Sequence, residues 1–160
     1  MKYVYFYTTE IGKIKITAMD GYIIALNVTD SYELDSDEVL EEIDLIKETA
    51  EAIMEYMVGN RKEFKEIPLK LRGTDFQMKV WNELKNIPYG ETRSYKEIAE
   101  RIGNPKGYRA VGMANNKNPI GIIVPCHRVI GKNGDLVGYA GGVKVKEQLL
   151  EIERKKRDRG

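Results

Sequence analysis

The chain has 160 residues, of which 42% are hydrophobic, and its net charge is +1 at pH 7. This length fits one medium domain or two small ones, and the hydrophobic fraction excludes a largely disordered chain. A single cysteine and a single histidine exclude an internal disulfide and a closed structural zinc site.

The charge is unevenly distributed along the chain. Residues 1–73 carry nine Lys/Arg and fifteen Asp/Glu, whereas residues 74–160 carry seventeen and ten. A basic half indicates an anionic partner, of which nucleic acid is the obvious one, although ordinary surface charge gives the same count. No apolar stretch approaches the roughly 18 residues of a membrane span, and the start has no signal-peptide pattern. We therefore expect no membrane partner and a reducing, cytoplasmic setting.

The first half predicts a small α/β roll. Three strand-like runs, 3–8, 13–18 and 22–28, are separated by turn signals, which favours a three-stranded antiparallel meander. Residues 36–58 carry an apolar stripe with helical spacing, and Gly59 is expected to end this helix. The stripe consists of Val39, Ile43, Ile46, Ala50, Ile53 and Met57. Residues 64–71 predict another extended segment, and Arg72-Gly73 predicts a boundary between domains 1–73 and 74–160.

The second half predicts a mostly helical domain. Capping boxes at Thr74–Gln77 and Ser94–Glu97 each predict a helix start. Asn104-Pro105 predicts the start of a further helix over about 105–115, which forms a helix-turn-helix with the helix before it. The predicted class is therefore α/β (α+β): an N-terminal roll joined to a winged-helix-like C-terminal domain.

The remaining pattern of this half predicts turns and a last helix. Asn133-Gly134 predicts a hairpin after Cys126. The glycines Gly138, Gly141 and Gly142 predict a flexible loop. Residues 143–156 predict a helix with a frayed basic tail over 154–157.

The helix over 105–115 is poor in helix formers. Gly107 and Gly112 each cost about 1 kcal/mol relative to alanine, so something has to compensate. Gly107, Ala110 and Ala114 share one face by spacing, and a face nearly bare of side chains permits close approach of a neighbouring helix or of a nucleic-acid backbone. Arg109 beside it suits insertion into a groove, because a guanidinium both stacks and donates several hydrogen bonds.

The only thiol and the only imidazole are adjacent in V-P-C-H-R-V-I, at the end of an apolar run from Pro119 to Val124. A lone cysteine is more often an inert core residue, and its surroundings decide its reactivity. A thiol with an ordinary pKa is only about 3% thiolate at pH 7. His127 could lower the pKa of Cys126 towards ~7, and Glu153 on the last helix could orient His127.

The motifs of residues 74–153 resemble one known family. F-Q-x-x-V-W, I-P-Y-G-E-T-R-S-Y, G-N-P, R-A-V-G, I-I-V-P-C-H-R-V-I, G-Y-A-G-G and K-E-x-L-L-x-x-E occur in order. Together they resemble the O(6)-alkylguanine-DNA alkyltransferase family. The first domain is similar only in type, as a ribonuclease-H-like roll.

The resemblance implies a DNA-repair protein that acts once. Its thiolate would take an alkyl group from O6 of guanine, and also from O4 of thymine, after the damaged nucleotide leaves the stack. The partner would be double-stranded DNA containing O6-alkylguanine, bound through the minor groove by a monomer. No metal and no small-molecule cofactor is expected.

The resemblance also implies a role for each matching residue. Cys126 would accept the alkyl group, His127 would deprotonate it through a water, and Glu153 would orient His127. Tyr95 would donate to the guanine, and Asn118 would brace the turn before the active-site segment. Expected DNA-binding residues are Arg93, Ser94, Tyr95, Asn104, Lys106, Arg109, Ala110, Gly112 and Asn115, and the expected pocket is lined by Pro125, Val129, Tyr139, Ala140 and Gly141.

The chain departs from the family pattern at two points. Ala140 stands where a serine hydroxyl often helps to hold O6, so Tyr95 and backbone N–H groups would take more of that role. The first domain lacks the zinc ligands of eukaryotic members. Neither departure removes the thiol on which the transfer depends.

Two other functions fit parts of the pattern. The first is a cysteine hydrolase that uses Cys126 and His127, although adjacent side chains rarely point at each other. The second is a helix-turn-helix regulator whose cysteine is structural or redox-active. A hydrolase turns over repeatedly, and a regulator binds undamaged DNA by sequence, so both differ from alkyl transfer in observable ways.

Overall fold

A computed structural model of the chain describes residues 1–136 and 139–158. The chain divides into two compact units, Met1–Leu71 and Arg72–Gly160. The predicted α+β class is confirmed, because the first unit is built on a sheet and the second is mostly helical. Gly138, one of the glycines of the predicted flexible loop, lies outside the described residues.

The first unit contains a four-stranded sheet. Strands β1 (Lys2–Thr9), β2 (Gly12–Met19) and β3 (Tyr22–Thr29) form the predicted antiparallel meander. Asp20 and Gly21 take the left-handed conformation at the second turn, with φ of 53° and 81°, as a tight hairpin requires. A fourth strand that the sequence did not indicate, β4 (Glu38–Leu40), pairs in parallel with β1 and gives the order β3-β2-β1-β4.

Helix α1 (Asp44–Met57) begins later than predicted. Val39 fits the helical spacing but lies on β4 and is 37% exposed. Backbone hydrogen bonds to β1 outweigh the helical spacing of the apolar residues there. Ile46, Ala50 and Ile53 do form the buried stripe. Gly59 ends the helix with a φ of 80° and donates its N–H to the Tyr56 carbonyl at 3.0 Å.

The extended segment at the end of the first unit attaches to β3. Ile23 donates its N–H to the Pro68 carbonyl at 2.8 Å and accepts from the N–H of Lys70 at 3.0 Å. Leu69 forms an isolated parallel bridge with Ile23. The segment therefore extends the sheet by a single bridge at its β3 edge.

Both predicted capping boxes are present in the second unit. Helix α2 (Asp75–Leu84) begins after Thr74, whose hydroxyl accepts from the Gln77 N–H at 3.1 Å, and the Gln77 amide oxygen accepts from the Thr74 N–H at 3.0 Å. Helix α3 (Tyr95–Arg101) begins in the same way after Ser94, paired with Glu97 at 3.0 Å in both directions. Each box satisfies two N–H groups that the helix leaves unpaired.

Helix α4 (Tyr108–Asn116) begins three residues later than predicted. Residues 104–107 form a turn in which the Gly107 N–H donates to the Asn104 carbonyl at 2.8 Å, so Gly107 is the N-cap and not an interior residue. A Cβ on Gly107 would lie 2.5 Å from the Asn104 side-chain nitrogen, so a larger residue here would require the exposed Asn104 side chain to move. Trp81 of α2 donates its ring N–H to the Ala114 carbonyl of α4 at 2.8 Å and joins the two helices in the core.

The rest of the second unit surrounds the only cysteine. Strand β5 (Arg93–Ser94) pairs in parallel with β6 (Val129–Ile130), and Cys126–Arg128 form a 3-10 turn immediately before β6. Lys132–Gly134 form the predicted tight turn, but β6 pairs with β5 and no hairpin strand follows within the described residues. Helix α5 (Val143–Asp158) extends through the basic stretch that was predicted to fray.

Candidate active site around Cys126

The segment that leads to the cysteine is fixed by Asn118. Its side-chain amide donates to the carbonyls of Val124 at 2.8 Å and Ile120 at 3.3 Å, and its oxygen accepts from the Ile120 N–H at 3.1 Å. Ile122 is buried and has a φ of 70°, a conformation that is costly for a β-branched residue. These contacts hold a strained turn directly before Pro125 and Cys126.

The turn Cys126–Arg128 buries all three of its side chains. Cys126 is 5% exposed, His127 is fully buried and Arg128 is 7% exposed. The Arg128 N–H donates to the Pro125 carbonyl at 3.0 Å and closes the turn. Three consecutive polar or ionisable side chains in a core require partners, because burial without hydrogen bonds is costly.

Glu153 of α5 supplies most of those partners. Its carboxylate lies 2.6 Å from His127 Nε2 and accepts from Arg128 Nε at 2.8 Å and from the Gly90 N–H at 3.0 Å. Arg128 also donates to the Ile87 carbonyl at 2.7 Å and lies over the Tyr89 ring. The loop before β5, the cysteine turn and α5 therefore meet at one buried carboxylate.

This arrangement sets the protonation of the pair. Burial opposes the charged form of Glu153, but hydrogen bonding by His127 and then by Arg128 outweighs it and holds the pKa of this carboxyl at about 2. Burial lowers the pKa of His127, although Glu153 opposes that shift. A neutral imidazole facing a carboxylate carries its proton on Nε2, which leaves Nδ1 as the nitrogen that can accept one.

The pKa of the Cys126 thiol is higher than the sequence predicted. Burial raises the pKa of Cys126 to about 11, and the Asn118 hydrogen bond and the Lys146 charge offset only part of that rise. The predicted lowering of the Cys126 pKa towards 7 is therefore wrong. Burial destabilises the thiolate more than Asn118 and Lys146 stabilise it. Cys126 is a thiol at neutral pH here, so its proton has to leave during the reaction.

Three further ionisable side chains interact electrostatically with Cys126, namely Tyr95, Tyr139 and Lys146. The pKa of Tyr95 is raised by burial and then by Cys126, and a hydrogen bond with Asn115 lowers it in part. The pKa of Tyr139 is raised well above its ordinary value by burial and then by Cys126. Lys146 is fully buried, its Nζ lies 5.8 Å from the Tyr95 ring centroid, and burial lowers its pKa to about 8 against the opposing effect of Cys126.

Lys146 and Arg128 were not among the expected site residues. Lys146 lies in a stretch rich in lysine and glutamate, where another lysine gives no signal. Its spacing of seven from Glu153 places the two on one face of α5, which was the only indication available. Arg128 follows the Cys-His pair, but its partner Glu153 is 25 residues away, and sequence alone does not reveal such a pairing.

The expected DNA-binding residues separate into exposed and buried sets. Asn104, Lys106, Arg109 and Ala110 are exposed, on the turn before α4 and on α4 itself, with Met113 72% exposed beside them. Arg93 is half-buried and paired with Glu91 at 3.1 Å. Asn115 is only 1% exposed, so it does not lie on the surface where a DNA contact was expected. Ala114 is also buried, so the bare face of α4 is smaller than predicted.

A cavity of about 820 Å³ opens where α3 and α4 begin. It is lined by Ser94, Tyr95, Lys96, Pro105, Lys106, Tyr108 and Lys132. Three of these are lysines, so the cavity suits an anion. Cys126 is not part of this lining, but Tyr95 belongs both to the cavity and to the group around the sulfur.

The expected pocket residues lie on both sides of the cysteine in sequence. Pro125 and Val129 flank the cysteine turn and are buried, whereas Tyr139 and Gly141 are half-buried and Ala140 is exposed. Within residues 1–136 and 139–158, no group of three or more His, Cys, Asp or Glu side chains is placed to hold a metal ion. No helix within the same ranges is long and apolar enough to cross a membrane.

Two family models match the chain. The one described as "6-O-methylguanine DNA methyltransferase, DNA binding domain" matches residues 75–155, and "6-O-methylguanine DNA methyltransferase, ribonuclease-like domain" matches residues 2–71. Both matches agree with the resemblance found in the motifs. They cover both compact units.

Individual relatives agree with these matches. The chain is 56% identical over 117 residues to a methylated-DNA--protein-cysteine methyltransferase of Methanosarcina acetivorans, covering 73% of this chain and 74% of that one. It is 47% identical over 148 residues to the protein of the same name from Mycolicibacterium paratuberculosis, covering 92% and 89%. The crystal structure of Mycobacterium tuberculosis OGT in complex with DNA superposes with a TM-score of 0.89 at 41% identity, covering 96% and 94%. With sequence and fold in agreement over nearly its whole length, this chain belongs to the 6-O-methylguanine DNA methyltransferase family.

Proposed function

We propose that the protein repairs alkylated DNA by moving an alkyl group from O6 of guanine, or O4 of thymine, to the sulfur of Cys126. The observation that carries the proposal is the buried His127–Glu153 pair next to the only thiol of a chain from this family. The curated relatives are named methylated-DNA--protein-cysteine methyltransferases, which supports the same reaction here. The protein acts as a monomer in the cytoplasm, where a free thiol stays reduced.

The first step is proton removal from the thiol. His127 Nδ1 accepts the proton of Cys126 through a water, and the Glu153 carboxylate stabilises the imidazolium that forms. The high pKa of the buried thiol means that deprotonation accompanies attack and does not precede it. The Lys146 ammonium stabilises the charge that develops on sulfur.

The second step is displacement at the alkyl carbon. The sulfur forms a bond to carbon as the bond from carbon to O6 breaks, and the electron pair of that bond moves to the guanine. Tyr95 donates its proton to the guanine and is reprotonated from His127, so the thiol loses one proton and the restored guanine, which stays in the DNA, gains one. The product is a thioether, which water does not cleave, and one molecule therefore performs one repair.

Access to O6 requires the damaged nucleotide to leave the stack. A thiol that is 5% exposed cannot reach an atom inside a duplex, so the base has to enter the protein. Arg109, exposed on α4, fills the space left in the duplex, and the small residues Ala110 and Gly112 let α4 approach a narrow minor groove. Lys96, Lys106 and Lys132 around the cavity neutralise phosphates next to the extruded nucleotide.

Loss of the lesion from DNA tests this function. Protein is mixed with an excess of duplex that carries one O6-methylguanine, and the remaining lesion is quantified after digestion of the DNA. We expect repair to stop when one lesion per protein molecule is lost. Repeated turnover would favour a hydrolase-like reaction, and equal binding of undamaged duplex without any lesion loss would favour a regulator.

A further inference from the structure

Arg128 contacts both oxygens of the Glu153 carboxylate. Its Nε donates to Oε1 at 2.8 Å and its Nη2 donates to Oε2 at 3.2 Å, so a planar guanidinium meets the carboxylate at two points. Oε1 also accepts from the Gly90 N–H at 3.0 Å, and Oε2 lies 2.6 Å from His127 Nε2. Each oxygen has two neighbours, and these contacts together fix the plane of the carboxylate that meets the imidazole.

The guanidinium is also held on its other side. Its Nη1 donates to the Ile87 carbonyl at 2.7 Å, and its Cζ lies 5.6 Å from the centroid of the Tyr89 ring. Arg128 is buried, and an arginine remains charged at any ordinary pH. Its positive charge is therefore fixed next to the carboxylate that His127 contacts.

This charge acts on the His127–Glu153 pair. The pair can hold one extra proton in two ways, as an imidazolium beside a carboxylate or as a neutral carboxyl that donates to Nε2. In both states Nδ1 of His127 carries a proton and cannot accept one from a thiol. A cation in contact with the same carboxylate disfavours both states, because each adds positive charge to the site.

Groups on the neighbouring elements also act on the pair. Burial lowers the pKa of His127, Glu153 opposes that shift, and the charges of Arg128 and of Lys146 on α5 add to it. Tyr89, in the loop before β5, faces Glu153, and its own pKa is raised by burial, so it is neutral at pH 7. Helix α2 packs against the cysteine turn with buried residues that are uncharged, namely Val80, Trp81 and Leu84. Arg128 thus acts in the same direction as burial, through a carboxylate that it contacts at two atoms.

We propose that Arg128 is a positioning residue for the transfer reaction, which keeps the Glu153 carboxylate ionised and directed at His127 Nε2. Nδ1 then carries no proton at neutral pH and can take the proton of the Cys126 thiol, while the proton on Nε2 stays in place. The inference rests on the proposed function, in which His127 is that base. The same cation makes the imidazolium that forms a stronger acid, which favours passage of its proton to Tyr95.

The pH dependence of transfer tests the inference. Arg128→Gln removes the charge but keeps an amide that can donate to the carboxylate, whereas Arg128→Lys keeps the charge. Both variants and the wild type are compared in single-turnover transfer from saturating O6-methylguanine duplex between about pH 5.5 and 9.5, with DNA affinity measured at each pH.

We expect the acidic limb of the Arg128→Gln profile to lie about one pH unit above that of the wild type, because the pair without the cation holds its extra proton to higher pH. On that limb transfer should be about tenfold slower than in the wild type, and the two rates should converge at the alkaline end. Arg128→Lys should retain the wild-type position of the limb.

The single histidine of the chain provides an independent measurement. In protein labelled with nitrogen-15 histidine, NMR reports the protonation of each ring nitrogen of His127. We expect wild-type Nδ1 to gain its proton only below the ordinary pKa of 6.5, and about one pH unit higher in Arg128→Gln. If that variant does not fold, a wild-type Nδ1 that is protonated at pH 7 overturns the inference by itself.

Arg101→Gln is the matched control, since Arg101 is exposed on α3 and also pairs with a glutamate, Glu83, at 3.7 Å. It should keep the wild-type rate and profile. Equal slowing by Arg128→Gln at every pH, with His127 titrating as in the wild type, would overturn the inference, because Arg128 would then only support the fold. Wild-type protein that transfers no methyl group would overturn the proposed function itself, so the two failures are distinguishable.

Discussion

Glu153 is the residue on which the site's electrostatics depend. It binds one neutral and one positive side chain in a buried cluster, and its pKa of about 2 lies below the ordinary 4.5. A carboxyl with a lowered pKa contributes stability above pH 4.5 that is lost as the pH falls towards 2. Because burial also lowers the pKa of His127, the wild type loses further stability below about pH 6.5.

We expect Glu153→Gln to lower the free energy of unfolding at pH 7 by about 3 kcal/mol, because it leaves the Arg128 charge buried without its partner. The difference from the wild type should shrink between pH 4.5 and 2, where the wild-type carboxyl gains its proton. Urea unfolding over this pH range measures both effects. Glu147→Gln, an exposed glutamate on the same helix, is the control, and a difference that is independent of pH would contradict this role of Glu153.

Lys146 provides a second prediction at this scale. Lys146→Met keeps the length of the side chain and removes the charge that stabilises developing thiolate. We expect transfer about tenfold slower, which corresponds to about 1.4 kcal/mol in the barrier. Affinity for undamaged duplex should not change, since a fully buried ammonium does not contact a duplex from which no base is extruded. Rapid-quench kinetics and a binding titration separate the two, and an unchanged rate would contradict the assignment.

The sequence predicted individual site residues where a recognisable motif contained them. The Cys126–His127 pair and Glu153 follow from the rarity of thiol and imidazole and from the family motifs, and the structure places His127 and Glu153 in contact. The raised thiol pKa and the burial of Lys146 and Asn115 were not predictable, because both depend on how tightly elements far apart in sequence close around them.

For helices and strands, the sequence predicted features that depend on neighbouring residues and missed those that depend on pairing with distant residues. The boxes at Thr74 and Ser94 were predicted because each one lies within four residues. Strand β4 was missed, since three residues acquire strand geometry only through β1, more than thirty positions earlier. The predicted start of α4 was wrong for a related reason. Asn104-Pro105 is a good helix start, but the chain first makes a turn there.

Gly112 tests the role of α4 as a closely approaching helix. Gly112→Ala adds a methyl group that meets only the Tyr95 ring at 3.8 Å, an ordinary contact. We expect the free energy of unfolding to rise by up to about 1 kcal/mol through helix propensity. Affinity for duplex DNA should fall, because the added group lies on the face proposed to approach the minor groove. Chemical denaturation and a DNA titration measure the two quantities, and tighter DNA binding would contradict the proposed contact.

For the molecule as a whole, the proposed reaction leaves a permanent methyl group in the buried interior of the basic half. The basic half that the charge count indicated contains the proposed DNA surface and the only cysteine. A methyl group added to a sulfur that is 5% exposed has little room, and it lies close to the Asn118 contacts that hold the preceding turn. The reaction should therefore weaken the fold that made it possible.

We expect the methylated protein to melt about 5 °C below the unmodified protein, since overpacking a core costs roughly 1–3 kcal/mol. The protein is methylated by an O6-methylguanine oligonucleotide, separated from DNA at high salt, and followed by calorimetry. Cys126→Ser taken through the same steps should show no change. Equal or higher stability of the methylated protein would show that the site accommodates the group without strain.

The position of the transferred methyl group distinguishes transfer to Cys126 from every other route of lesion loss. After reaction with duplex that contains O6-methylguanine, intact-mass measurement followed by peptide fragmentation locates any added methyl group. We expect one methyl group per protein molecule on the sulfur of Cys126, with the wild-type mass retained in the presence of undamaged duplex. A methyl group at another residue, or lesion loss without any gain in protein mass, would contradict it.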